Sequence, residues 1–231
     1  MYVLYSLALA AALVLSAPWW LLRMLRHHKY RDGLGERLGR VPQRLLAGGV
    51  GGAAAVWVHA VSVGEVLAVS ELIGELRRRF PGRRVVISTT TATGQALARE
   101  RFGEENVFYF PLDFGFAVNA YLRILRPELV ILAETEFWPN FLRLAKSSGA
   151  RVAVVNARIS DRSLPGYRRW RGMLGSVLRN VDVFLTQSDE DSRRLIEIGA
   201  EPERVRMAGN LKFEVKAPVT ASGVALIRAA L

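Results

Sequence analysis

The chain has 231 residues, 32 Lys and Arg against 21 Asp and Glu, a formal net charge of +11 and no cysteine. Lack of cysteine excludes a disulfide-stapled domain and a Cys/His finger, and agrees with a cytoplasmic compartment. Excess positive charge calls for an anionic partner: nucleic acid, membrane phospholipid or a phosphorylated substrate. No aromatic-basic strand signature of an RNA-binding sheet is present, so nucleic acid is not expected.

The amino terminus is apolar. Tyr2 to Leu22 carries no charge, and only Ser6, Ser16 and Pro18 interrupt the run of Leu, Ala, Val, Tyr and Trp. About 21 helical residues at roughly 1.5 Å each reach about 30 Å, the thickness of a hydrocarbon layer. A cleaved signal peptide would place basic residues before the run and a small-x-small site after it. Here no Lys or Arg precedes it, and Trp19-Trp20 stands where cleavage would fall. The spacing predicts a retained transmembrane anchor over residues 1–22. Arg23, Arg26, Lys29 and Arg31 follow at once, which places the remainder on the cytoplasmic side.

Residues 23–54 form a basic juxtamembrane segment ending in a Gly/Ala spacer. Leu34, Leu38, Val41 and Leu45 allow part of it to be an amphipathic helix on the bilayer; a solvated connector fits equally. The spacer, Ala47 to Ala54, has no packing value.

From residue 55 to 208, short apolar runs alternate with amphipathic ones. Strands are expected at Val56–Val61, Arg84–Thr89, Val107–Phe110, Leu129–Ala133, Val152–Asn156, Val181–Thr186 and Val205–Met207. Helices are expected at Glu65–Phe80, Thr93–Phe102, Phe116–Leu125, Asn140–Ser148, Tyr167–Leu178 and Asp189–Ile198. This alternation specifies an α/β fold: a Rossmann-like parallel sheet with helices on both faces and ligands beyond the strands' carboxyl ends.

The residues after each strand are therefore the candidates. Ser62-Val63-Gly64-Glu65 follows the first, with Gly64 allowing a tight turn. Glu65 is either a first-turn acid favoured by the helix dipole or a general base. Ser88-Thr89-Thr90-Thr91-Ala92-Thr93-Gly94 follows the second. One hydroxyl suffices for an N-cap at Thr91 or Thr93, so five tilt the reading toward a donor-lined loop. Glu134-Thr135-Glu136-Phe137-Trp138-Pro139-Asn140 follows the fourth, with Pro139 suited to open a helix. Its acids are costly if buried unpaired. Arg158, in Asn156-Ala157-Arg158-Ile159-Ser160, is either a bidentate anion clamp or a salt-bridge partner of Glu134 or Glu136. His59 lies inside a strand and reads as a packing histidine. No dinucleotide fingerprint, P-loop or metal-ligand cluster occurs.

Together with Trp57-Val58-His59-Ala60-Val61 before Ser62, these segments and Gly209-Asn210-Leu211-Lys212-Phe213-Glu214 occur in the order seen in one family. The chain resembles the N-terminal half of bacterial 3-deoxy-D-manno-octulosonic acid (Kdo) transferases, and Arg37-Leu38-Gly39 resembles their segment after the anchor. The resemblance implies an inner-membrane enzyme of the GT-B fold that moves Kdo from CMP-Kdo to the 6′-hydroxyl of a lipid A precursor, with inversion and no metal or other cofactor. Glu65 matches the family's general base, and Glu134 the first acid of its Glu-Thr-Glu motif. Substrate contacts are expected from Ser62, Gly64, Thr89, Thr90, Thr91, Gly94, Glu136, Asn156 and Arg158. Expected partners are the lipid A precursor, CMP-Kdo and anionic inner-membrane lipids. Residues 209–231 are expected to be a linker and the start of a donor-binding domain that the chain lacks. Two alternatives stand beside this reading. One is a GT-B glycosyltransferase with another donor; the other is a non-catalytic module that binds anionic lipid.

Overall fold

The computed structural model describes residues 1–27, 33–47 and 54–211. The expected spacer over 48–53, Lys29 and Arg31 of the basic flank, and Lys212-Phe213-Glu214 lie outside the described residues.

Among the described residues, helix α1 spans Tyr2–His27, followed by the short helices α2 (Leu34–Arg37) and α3 (Gln43–Ala47). The alternating part then runs β1 (Ala55–His59), α4 (Val63–Arg79), β2 (Arg84–Thr89), α5 (Ala92–Phe102), β3 (Val107–Tyr109), α6 (Gly115–Leu125) and β4 (Pro127–Ala133). It continues with α7 (Pro139–Ser147), β5 (Arg151–Ala157), α8 (Leu164–Arg169), α9 (Arg171–Leu178), β6 (Val183–Thr186), α10 (Asp189–Glu197) and β7 (Val205–Met207).

The seven strands form one sheet in the order β3-β2-β1-β4-β5-β6-β7, and every pairing is parallel. The chain moves outward from β1 to β3, returns, and places β4 on the other side of β1. This reversal is the switch point, where the two loops leaving β1 and β4 part and open a crevice. Alternating strand residues feed two cores. Trp57 packs with α6 and α7 on one face, through Tyr121 and Phe141, while Val56 and Val58 pack with α4 and α5 on the other, through Val69 and Ala98. Burial on both faces explains why the strands read as continuous apolar runs.

Three sequence expectations change. Val61 lies beyond β1 because its N–H goes to Glu65 (2.8 Å) and its carbonyl to Thr90 and Thr91. The helix expected over Tyr167–Leu178 is two helices that meet at Trp170. The largest change concerns residues 33–47, which are neither a bilayer-bound helix nor a solvated connector. They dock beside β3. Glu36 accepts the Tyr109 N–H at 2.8 Å and pairs with Arg44, and Leu45 is 1% exposed within the core. The domain thus begins well before residue 55.

Helix α1 is long and apolar enough to cross a membrane by length and composition, over Tyr2–Trp19. Its first turns touch the domain: Asn140 donates to Ser6 (3.0 Å), Tyr5 bonds Asp113, and the Arg143 guanidinium lies 4.7 Å from the Tyr2 ring.

Candidate active site

The crevice at the switch point is lined by the loops after β1, β2, β4 and β5. Ser62 is the N-cap of α4, yet its hydroxyl accepts no helix N–H and instead donates to Glu65 Oε1 (3.1 Å). Glu65 Oε2 accepts the Val61 N–H. The carboxylate thus reaches back over the turn, as the acid of a capping box does. It is 9% exposed. Burial pushes its acidity toward higher pH; the Val61 and Ser62 hydrogen bonds oppose this, and Glu134 and Glu136 reinforce it.

Gly64 does not make the turn. It lies inside α4, is exposed, and has no left-handed φ; the extended Ser62 makes the turn instead. What Gly64 contributes is open space before Glu65, since a Cβ there would meet nothing nearer than Ser62 Oγ at 4.0 Å.

The hydroxyl-rich loop after β2 is mostly committed internally. Thr89 is fully buried and donates to Gln95. Thr91 caps α5, accepting the Gly94 N–H at 3.1 Å. Gly94 is a packing glycine: a Cβ would lie 2.8 Å from Thr91 Oγ1 and 3.3 Å from the Val61 carbonyl. These three residues therefore shape the site without facing a ligand. Thr90 differs, because its Oγ1 is buried without a partner.

Glu134 directly follows β4 and Asn156 is the penultimate residue of the adjacent β5, with φ of 58° and 55°. Only three non-glycine residues among those described have positive φ, and two of them stand at this crevice, where strain is commonly stored for function. Glu136 is half-buried and accepts the Trp138 indole N–H at 2.9 Å. Burial pushes its carboxyl above the usual carboxylate range, the indole opposes this, and Glu134 adds to the rise. Three carboxylates thus share one mouth, and the negative charge of Glu134 bears on both Glu65 and Glu136. Arg158 is exposed, forms no ion pair with Glu136 among the described residues, and has its carbonyl held by Thr135.

Asn156 has a second duty. Its Oδ1 accepts the Leu211 N–H (3.1 Å), its carbonyl accepts from Gln187, and its Nδ2 is buried without a partner. The side chain is turned toward the exit of the chain rather than toward Glu65. His59 packs as expected: it stacks on Phe110 at 3.9 Å, and burial holds its imidazole down to about 3.

Asp113 escapes sequence reasoning, and Arg37, noted only within Arg37-Leu38-Gly39, is not read there as part of the site. Asp113, 2% exposed, accepts the Asn140 and Phe141 N–H groups (3.0 and 2.7 Å) and so caps α7 from another loop. An acid soon after the apolar β3 is the signal that would have found it. Arg37 donates to the Thr90 carbonyl and stacks over Tyr109 at 4.5 Å, holding the loop after β2 from 53 residues away. Nothing local announces it.

A doubly wound parallel sheet with carboxylates at its switch point defines a Rossmann-like α/β domain. The family follows from comparison with known proteins: residues 32–215 match the model of the 3-deoxy-D-manno-octulosonic-acid transferase (Kdo transferase) N-terminal domain, and the chain belongs to that family. The Kdo transferase of Bordetella pertussis is 40% identical over 72% of this chain and 39% of its own length. That of Chlamydia pneumoniae is 31% identical over 92% of this chain and 48% of its own. A bifunctional glycosyltransferase/methyltransferase of Fusobacterium nucleatum is 36% identical over 69% of this chain and 25% of its own. The chain spans at most about half the length of these curated relatives.

Proposed function

We propose that this chain is the acceptor-binding half of a Kdo transferase, which moves Kdo from CMP-Kdo to the 6′-hydroxyl of a lipid A precursor in lipopolysaccharide synthesis. Glu65 is the general base. A sugar hydroxyl becomes nucleophilic as its proton is withdrawn. The acceptor oxygen bonds to the anomeric carbon of Kdo, its proton passes to Glu65, and CMP leaves with the bonding electrons, inverting that carbon without a metal. Glu134 and Glu136 sustain the basicity of Glu65 by opposing its ionisation, and Glu134 is the second functional carboxylate. Gly64 leaves room for the sugar. Ser62 and Thr90 offer hydroxyls, and the exposed Arg158 takes a phosphate or carboxylate in bidentate fashion. Helix α1 holds the domain to the cytoplasmic side of the bacterial inner membrane, where the lipid acceptor lies.

The observation that carries this reading is Glu65 at the switch point, buried and facing two further acids. The test supplies the full-length enzyme with CMP-Kdo and lipid A precursor. Transfer that collapses in Glu65→Gln supports it. Transfer only from another nucleotide sugar would sink it.

A further inference from the structure

We propose that Trp170 and Met173, ringed by Arg162, Arg169 and Arg171, form a second membrane contact that rests on anionic headgroups beside the site mouth. Trp170 is 59% exposed and Met173 44%, at the junction of α8 and α9. The three arginines are exposed and form no ion pair among the described residues. Arg171 also feels the charge of Glu197, which pairs with the neighbouring Arg168. An exposed indole and thioether among exposed guanidinium groups suits the bilayer interface, where aromatic rings sit at headgroup level and basic side chains meet phosphate.

Position favours lipid over a protein partner. Tyr167, one turn before Trp170, packs its ring 6.5 Å from Phe137 in the loop after β4, so α8 borders the site mouth. The apolar helix lies on the same side of the sheet: α1 meets α7 through Ser6 and Tyr2, and Asn180, just beyond α9, donates to Tyr2 (3.4 Å). The opposite flank of α1 is open, with Leu4 72% and Leu15 82% exposed. One side of the molecule therefore carries α1, the Trp170 patch and access to the crevice. This deepens the reading of a lipid acceptor and rests on it for its purpose.

The absence of cysteine permits a clean test. Met173→Cys, Leu15→Cys and Glu71→Cys, the last on α4 across the sheet, each receive a fluorescent label. The full chain is then bound to phosphatidylglycerol–phosphatidylethanolamine vesicles with brominated acyl chains. The labels at positions 15 and 173 should lose most of their emission and the label at 71 should keep it. Adding Arg169→Gln and Arg171→Gln should restore emission at 173 only. Quenching at 15 with none at 173 would overturn the proposal and leave membrane attachment through α1 intact. Quenching at neither would remove both. A label at 173 that is already shielded from aqueous iodide without lipid would show a protein cover and overturn it too.

Discussion

Glu65 accepts the N–H of Val61 across the turn that joins β1 to α4, at 2.8 Å. The same carboxylate that faces the crevice therefore also closes the backbone beneath it. Structural and chemical duties can be separated by substitution. Glu65→Ala removes the acceptor and should cost about 1 kcal/mol, the scale of a lost cap. Glu65→Gln keeps one oxygen and should melt close to the parent. Both should lower transfer by about 10²–10⁴-fold in the full-length enzyme if the carboxylate is the base. Thermal melts beside CMP-Kdo turnover separate the two duties, and near-normal turnover in Glu65→Gln would leave only the structural one.

The crowding of Glu65, Glu134 and Glu136 predicts a pH dependence of stability. Burial holds the Glu136 carboxyl above the usual carboxylate range, making it a weaker acid. A carboxyl raised in the folded state is most favourable to folding below its ordinary range, and that contribution is lost as pH climbs through the raised value. Glu136→Gln, which still accepts from Trp138, should stabilise the fold at neutral pH by on the order of 1 kcal/mol. The gain should fade as pH falls below the usual carboxylate range. Urea denaturation at pH 7.5 and pH 4, both about those values as working points, tests the sign, and a larger gain in acid would refute it. Such a gain would accompany weaker transfer, since functional sites trade stability for chemistry.

Leu45 separates the two views of the segment before β1. A membrane-bound or solvated segment would make Leu45→Ala silent. With the side chain 1% exposed in the core beside Val86 and Phe108, truncation should cost about 2–5 kcal/mol. Equilibrium unfolding of the chain in mild detergent measures it, and a change below about 0.5 kcal/mol, the range of surface substitutions, would return residues 33–47 to the role of a connector.

Gly94→Ala examines the seam between the two loops that frame Glu65. The added Cβ would meet Thr91 Oγ1 at 2.8 Å and the Ser62 carbonyl carbon at 3.2 Å. Overpacking of this kind costs about 1–3 kcal/mol. Because the crowded atoms belong to the Ser62 turn, turnover should fall beyond what the lost stability explains. A melting temperature unchanged from the parent would show that the loops part freely.

The sheet was legible because its strands are buried on both faces, so Val152–Val155 and Val85–Ile87 read as unbroken apolar runs. The candidate acids were legible because such sheets place ligands beyond the strand ends, which singled out Glu65, Glu134 and Glu136. What escaped depends on contacts distant in sequence. Leu34, Leu38 and Val41 have the same spacing whether they meet lipid or a sheet edge, and contacts distant in sequence decide between them: Gly33 against the Tyr109 ring, and Glu36 on the Tyr109 N–H. Thr89 and Thr91 look like ligand donors until Gln95 and Gly94 take their hydroxyls. Asp113 and Arg37 act on loops they do not belong to.

Asn156 supplies the last prediction. It holds a left-handed conformation that asparagine tolerates better than most residues, and its Oδ1 fixes the Leu211 N–H while Gln187 ties its carbonyl to Asn210. Its amide therefore bears on the path by which the chain leaves the sheet. Asn156→Gly keeps the backbone conformation and removes the acceptor, so the fold should persist while the Leu211 amide loses protection. Hydrogen exchange should show faster exchange at Leu211, with Val154 and Leu132 in the sheet core unchanged. Asn156→Ala adds backbone strain and should destabilise the domain by a further 1 kcal/mol or about that. In the full-length transferase, Asn156→Gly should change the KM for CMP-Kdo more than that for the lipid, because its amide holds the segment that leaves the sheet and not the Glu65 turn. Equal effects on both substrates, or an unaltered Leu211 amide, would return Asn156 to the acceptor site.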